Sequence, residues 1–153
     1  MALKDQLARS MSAQHEFLYR FSGGWIGRRM GRMPVLLLTT VGRRTNRRRT
    51  TPLTYLKSDG ELLIIASYGG DDRHPAWYLN LVANPEVEVT RGTHVQTMNA
   101  RTLDQSEKAA VWDQIVATSP MYADYERRTD RDIPVVGLSP VNGEAIDRRR
   151  ESA

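Results

Sequence analysis

The sequence predicts an α+β protein built on an antiparallel, barrel-like sheet with flanking helices. Two observations carry this. Short alternating or apolar segments recur as neighbours joined by tight turns, at 35–41, 50–56, 62–68, 86–91 and 93–102, with a last one at 133–138. The few helical stretches between them do not alternate strand by strand, as βαβ units would require.

Taken in order, residues 2–21 place Leu3, Leu7, Met11 and Leu18 near one helical face, with Phe17 and Phe21 beside them. Packing on the barrel is the expected fate of that stripe. Arg20, Arg28, Arg29 and Arg32 follow it, which makes contact with a membrane surface the alternative. The Gly- and Arg-rich stretch to Pro34, with Trp25, Ile26 and Met30, reads as a hinge into the main domain. The run Val35 to Val41 is a strand, and Thr50 to Leu56 is another. Asp59-Gly60 is a strong hairpin signal, and Leu62 to Tyr68 is the returning strand. A flexible loop, Gly69 to Arg73, leads to a short helix over Pro75 to Ala83, where proline is welcome at the start and Asn84-Pro85 stops it. Glu86 to Arg91 alternates as a half-buried strand should, and Gly92 turns it into 93–102. Asp104, with Glu107 three residues on, forms a capping box for a helix to about Thr118 that buries Val111, Trp112, Ile115 and Val116. Ser119-Pro120 breaks that helix, Tyr122 and Tyr125 stand one turn apart on the next, and Ile133 to Leu138 is the last strand. The expected organisation is an N-terminal helix and hinge over 1–33, a barrel domain over 34–141 and a basic tail over 142–153.

Composition narrows the chemistry. The 153 residues suit one domain with a real core, and the net charge of +4 favours anionic partners. The absence of cysteine excludes disulfides, thiolate metal sites, iron–sulfur clusters and a cysteine nucleophile. His15, His74 and His94 lie far apart without ligand spacing, so no metal is expected. The start lacks the apolar segment of a signal peptide, and no run approaches the roughly 20 apolar residues of a membrane span. A cytoplasmic protein is expected, with the N-terminal helix as the one candidate for peripheral membrane contact. No phosphate-binding loop, dinucleotide fingerprint or nucleophile elbow is present.

The loop Gly42-Arg43-Arg44-Thr45-Asn46-Arg47-Arg48-Arg49 is the most informative stretch. Five guanidinium groups on one turn repel each other unless something anionic sits among them. Each offers a planar fork that matches phosphate or carboxylate oxygens. Gly42 and Asn46 tolerate positive φ, so the turn can curl its amides around an anion. A solvated charge run is the plainer alternative, since the chain holds nineteen Arg against three Lys. Nucleic acid would satisfy the same loop.

Several segments together resemble one family. They are Pro34 to Thr45, Arg49-Thr50-Thr51-Pro52-Leu53, Ala66-Ser67-Tyr68-Gly69-Gly70, His74 to Leu81, Ala83-Asn84-Pro85, Tyr122-Ala123-Asp124-Tyr125, and Thr129 to Val136. Their order and spacing over roughly residues 20–140 resemble the deazaflavin-dependent nitroreductases, which use coenzyme F420. The resemblance implies a split β-barrel of the FMN-binding type over 34–141. It also implies hydride transfer from the reduced deazaflavin to quinones, nitroaromatics or similar acceptors.

By the same resemblance, Arg43, Arg44 and Arg49 clamp the coenzyme's phosphate and glutamate tail, and Thr45 adds a hydroxyl. Ile65, Ala66, Ser67 and Tyr68 lie along the ring. Ala76, Trp77, Tyr78, Leu79 and Asn80 form the helix start that helps bind the coenzyme. Tyr122 and Tyr125 line the acceptor pocket, Tyr125 also touches the coenzyme, and Ser67 joins the two tyrosines as a catalytic candidate. Asn46 stands where many relatives carry Gly, and Tyr68 where a basic or small residue is common. Trp77 by itself reads as a core anchor ahead of a stacking plate. An FMN-dependent split-barrel reductase and a non-catalytic basic module, binding deazaflavin, nucleic acid or an anionic surface, are the alternative readings. No nucleic-acid partner is expected on the leading one.

Overall fold

The computed structural model describes residues 33–143 and Ile146. The expected N-terminal helix, its membrane contact and the hinge up to residue 32 lie outside the described residues, as does most of the tail.

Seven strands form one sheet: β1 (Val35–Val41), β2 (Arg48–Thr54), β3 (Leu56–Ser58), β4 (Glu61–Ile65), β5 (Glu86–Arg91), β6 (His94–Thr102) and β7 (Val135–Pro140). Their order is β2-β1-β5-β6-β7-β4-β3, and every neighbouring pair is antiparallel. Among the described residues the helices are α1 (Ala76–Ala83), α2 (Gln105–Thr118) and α3 (Met121–Arg128), with a 3-10 turn at Tyr68–Gly70.

The expected single strand over 50–56 is in fact two strands, β2 and β3, separated by Tyr55 alone. These two lie at opposite edges of the sheet. Chain continuity through one residue therefore forces the sheet to curl until its edges meet, which is the split barrel in physical terms. Tyr55 makes the corner: its N–H donates to the Pro34 carbonyl at 3.0 Å, and its side chain is 2% exposed inside the barrel. Pro52 is tolerated because β2 is an edge strand.

The core has two faces. Leu62 and Ile64 of β4 and Val136 and Leu138 of β7 join the barrel interior with Leu36, Leu38, Val89 and Met98. Leu63, Ile65 and Val135, alternating with them, join Ile115 of α2 and Tyr122 of α3 on the outside. A strand buried on both faces reads as a continuous apolar run, as Leu62-Leu63-Ile64-Ile65 does.

Local signals are realised with small shifts. Asp59 and Gly60 take φ of 49° and 77°, as a tight hairpin turn requires. The capping box of α2 is complete: Asp104 Oδ1 accepts the Glu107 N–H at 2.8 Å and Glu107 Oε1 accepts the Asp104 N–H at 3.1 Å. On α2, Ile115 is buried as expected, but Val111, Trp112 and Val116 are only half-buried. Lys108 goes inside instead, its ammonium donating to Asp132 at 2.6 Å and lying 4.9 Å from the Trp112 ring centre. The strand expected to reach Tyr68 ends at Ile65, and β7 begins two residues later than expected, at Val135.

Candidate functional site

The arginine loop is closed by its own backbone. The Gly42 N–H donates to the Arg47 carbonyl at 2.7 Å, and the Asn46 N–H to the Gly42 carbonyl at 2.9 Å. Asn46 has the expected positive φ, 57°, but Gly42 does not. Glycine is needed at 42 for closeness: a Cβ there would sit 2.8 Å from Thr45 Oγ1 and 3.2 Å from the Arg47 carbonyl.

The five arginines are not equivalent. Arg43 is tied to α1, its backbone N–H and Nη1 both donating to Asn80 Oδ1 at 3.2 and 3.0 Å. Asn80 is itself buried and donates to Thr40 Oγ1 at 3.4 Å. Arg48 pairs with Glu88 at 2.9 Å. Arg44 and Arg49 are exposed, and their guanidinium groups have no hydrogen-bond or ion-pair partner among the described residues. Thr45 Oγ1 accepts the Arg47 N–H at 3.3 Å, which commits it to the turn.

Next to this loop lies a largely apolar cleft of about 580 Å³. One wall is Thr51 to Thr54 of β2, with Val35. A second is Ile65, Ser67, Tyr68 and Gly69, where the chain leaves β4. Pro75, Ala76 and Trp77 at the start of α1, and Met121, Tyr122 and Tyr125 of α3, complete it. Two elements join cleft to loop. Strand β2 begins at Arg48–Arg49 and reaches the cleft at Thr51, about 7 Å along. Helix α1 starts in the cleft and reaches the loop one turn later, at Asn80.

The two tyrosines are brought together but differ. Tyr122 is 5% exposed, and its hydroxyl hydrogen-bonds Thr54 Oγ1 at 2.9 Å. Burial pushes its phenol above the ordinary value, and the Thr54 bond only partly offsets this. Tyr125 is half-buried, edge-on to Tyr122 with ring centres 5.9 Å apart. Among the described residues its hydroxyl reaches only Met121 Sδ at 3.5 Å, a weak acceptor, and Arg128 lies 5.6 Å over its ring.

Ser67 is nearly buried, and its hydroxyl has no hydrogen-bond partner among the described residues. Beyond it, Tyr68, Gly69 and Gly70 have φ of 47°, 64° and 82° in succession. A Cβ on Gly70 would meet Arg128 Cβ at 2.9 Å and the Tyr125 carbonyl at 3.0 Å, so this turn is pressed against α3.

Thus Ile65, Ser67, Tyr68, Ala76, Trp77, Tyr122 and Tyr125 converge on one cleft, and Arg43, Arg44, Thr45, Arg49 and Asn80 cluster beside it. Trp77 serves both readings, packing in the barrel core while lining the cleft. Ala66 turns away from the cleft into the barrel core. Tyr78 bonds Thr102 Oγ1 at 3.0 Å, and neither it nor Leu79 lines the cleft. The β2 wall, Met121 and the hydrogen bonds of Arg131 to the Ala66 and Ser67 carbonyls are not visible from sequence spacing.

The sequence model described as F420H(2)-dependent quinone reductase matches residues 11–140. The chain belongs to the F420H(2)-dependent quinone reductase family. An F420H(2)-dependent quinone reductase of Mycobacterium tuberculosis strain H37Rv is 43% identical over 130 residues, which is 82% of this chain and 87% of that protein. Among solved structures, an F420-H2 dependent reductase superposes with a TM-score of 0.63 at 39% identity, covering 69% of this chain and 94% of its own. A second, described as a domain-swapped dimer, gives 0.64 at 35% identity, with 84% and 96% covered. The split-barrel fold and the oxidoreductase class expected from the sequence both hold for this member of the family.

Proposed function

We propose that this chain uses reduced coenzyme F420 to reduce quinones, with nitroaromatics and similar planar acceptors entering the same cleft. The observation that carries the reading is the pairing of an apolar cleft of about 580 Å³ with a neighbouring loop whose Arg44 and Arg49 have no partner among the described residues. That pairing fits an elongated ligand with a planar apolar head and an anionic tail. Arg44 and Arg49 would hold the phosphate and tail, because the resemblance places them there and their guanidinium groups, like that of Arg47, have no partner among the described residues. Arg43 would contribute through the loop shape it fixes with Asn80. The bound reduced coenzyme supplies a hydride.

The protein's own residues do the rest. Ile65, Ser67 and Tyr68 form one wall of the cleft and Ala76 and Trp77 another, and these residues would line the deazaflavin ring. Apolar lining excludes water from the transfer. Quinone reduction needs one proton besides the hydride. Tyr125 is the better-placed donor or orienter, since among the described residues its hydroxyl has only a sulfur partner, whereas the Tyr122 hydroxyl is engaged with Thr54. Ser67 offers a further hydroxyl in the same cleft, without a partner among the described residues.

The test is a fluorescence titration of the pure protein with coenzyme F420 and with FMN, followed by addition of menadione to the reduced-coenzyme complex. Tight F420 binding and quinone-dependent reoxidation are expected. Tighter binding of FMN, or no reoxidation, would remove the assignment.

A further inference from the structure

The run Thr129-Asp130-Arg131-Asp132 connects α3 to β7 and does not line the cleft. Arg131 nevertheless reaches behind the wall that does. Its Nη2 donates to the Ser67 carbonyl at 2.9 Å, Nη1 to the Ala66 carbonyl at 3.2 Å, and Nε to the Asp71 carbonyl at 3.1 Å. Nη1 also lies 3.0 Å from His74 Nδ1. These contacts gather both ends of the segment that holds three consecutive positive-φ residues. Such a segment keeps its shape only if its surroundings over-determine it.

The clamp is itself anchored. Asp132, the next residue, accepts from Lys108 Nζ at 2.6 Å and Gln105 Nε2 at 2.8 Å, both on α2. Thr129 Oγ1 donates to Asp72 at 2.7 Å and accepts the Arg131 N–H at 3.1 Å.

A guanidinium only donates. His74 Nδ1 must therefore present its lone pair, with the ring proton on Nε2. Protonation would set N–H against N–H and one cation against another. The groups that act on the imidazole are known. Burial and the Arg131 charge keep it neutral to lower pH than usual, and the Asp132 carboxylate opposes them. The Tyr78 ring of α1 packs 5.0 Å away, and the Asp71 carboxylate is bonded to Arg73 while its carbonyl accepts from Arg131.

We propose that Arg131 is a positioning residue for the coenzyme-facing wall, and that it holds Ala66 to Asp71 in place only while His74 is neutral. That the wall faces the coenzyme rests on the function proposed above; the clamp itself does not.

Hydrogen exchange on the protein without coenzyme, expressed as protection factors for amides 66–74 between pH 5 and 8, reads the clamp directly. Wild-type protection should fall as pH drops below the ordinary imidazole range. His74→Asn supplies an acceptor oxygen near the Nδ1 position but does not titrate, so its protection should stay level with pH. Arg131→Lys, keeping the charge but not the fork, should lose protection at every pH. It should also bind coenzyme F420 about tenfold more weakly, as expected for losing one or two charge-assisted bonds. An unchanged acid loss in His74→Asn, or wild-type protection in Arg131→Lys, overturns the proposal. Absence of F420 binding with the exchange pattern intact would instead count against the function and leave the clamp standing.

Discussion

Tyr122 of α3 and Thr54 of β2 join hydroxyls at 2.9 Å across the cleft, linking residues 68 positions apart in the chain. This bond ties α3 to the barrel wall, and Tyr125 packs edge-on against the ring that makes it. The two tyrosines should therefore separate in mutagenesis. Tyr122→Phe removes a part-buried hydrogen bond and should cost about 0.5–1.5 kcal/mol of stability. Tyr122→Ala removes a buried ring and should cost about 3–5 kcal/mol. Tyr125→Phe should leave the urea midpoint almost unchanged and slow quinone reduction at near-normal coenzyme affinity. Equal effects of the two Phe variants on turnover would contradict this division.

The loop arginines should divide in the same way. Arg44→Ala and Arg49→Ala remove open guanidinium groups, and each should weaken coenzyme binding roughly tenfold to hundredfold, for a charge-assisted bond of about 1.5–3 kcal/mol. Arg48→Ala breaks a surface pair with Glu88 and should change affinity little. Wild-type binding should weaken with salt. Fluorescence titration at two ionic strengths checks all three. Unchanged affinity in both open-arginine variants would return the loop to a solvated charge run.

Acid sensitivity has a definable source at the N-terminus of α2, where Glu107 meets Arg101 of β6. Arg101 donates to Glu61 at 2.7 Å and to Glu107 at 2.7 Å. Arg101, with the Asp104 N–H, holds the Glu107 carboxyl down at about 2, against an ordinary value of 4.5. A carboxyl depressed on folding binds fewer protons in the native state. Its contribution is therefore present above the ordinary carboxylate range and is lost as pH falls from there towards about 2. Glu107 is only half-buried, so screening makes the effect modest. Urea midpoints between pH 5 and 2.5 should fall less steeply in Glu107→Gln than in wild type. An identical slope would place the acid-sensitive group elsewhere.

Much of this architecture is legible in the sequence because its signals are local. Asp59-Gly60 is a turn through its own backbone, and Asp104 with Glu107 is a cap through two side chains three residues apart. The arginine loop declares its charge in a single run. What sequence spacing leaves out depends on closure of the sheet. Tyr55 reads as mid-strand until the two edges are known to meet there. Thr54 has no visible reason to matter before α3 is laid over it, and Lys108 reads as a solvated helix residue before Asp132 arrives beneath it. Ala66 and Tyr78 show the complementary error. A segment can be placed at the site while alternation sends individual side chains the other way.

The turn between β4 and α1 gives the last test, because two neighbouring glycines with similar backbones have different surroundings. Gly69 and Gly70 both have positive φ, 64° and 82°, and a side chain at either is disfavoured by about 1–2 kcal/mol on conformation alone. At Gly69 a Cβ would meet nothing within 4 Å. At Gly70 it would press on Arg128 Cβ at 2.9 Å and the Tyr125 carbonyl at 3.0 Å, neither of which is the far end of a flexible chain. Gly69→Ala should therefore lower stability by that conformational cost and keep the cleft's shape. Gly70→Ala must push the turn away from α3, displacing Ser67 on one side or Tyr125 on the other. It should lose more stability than Gly69→Ala and, at matched folded fraction, lose quinone turnover as well. Measured by urea melts and steady-state assay together, equal losses in the two variants would show that close packing of this turn on α3 does not shape the site.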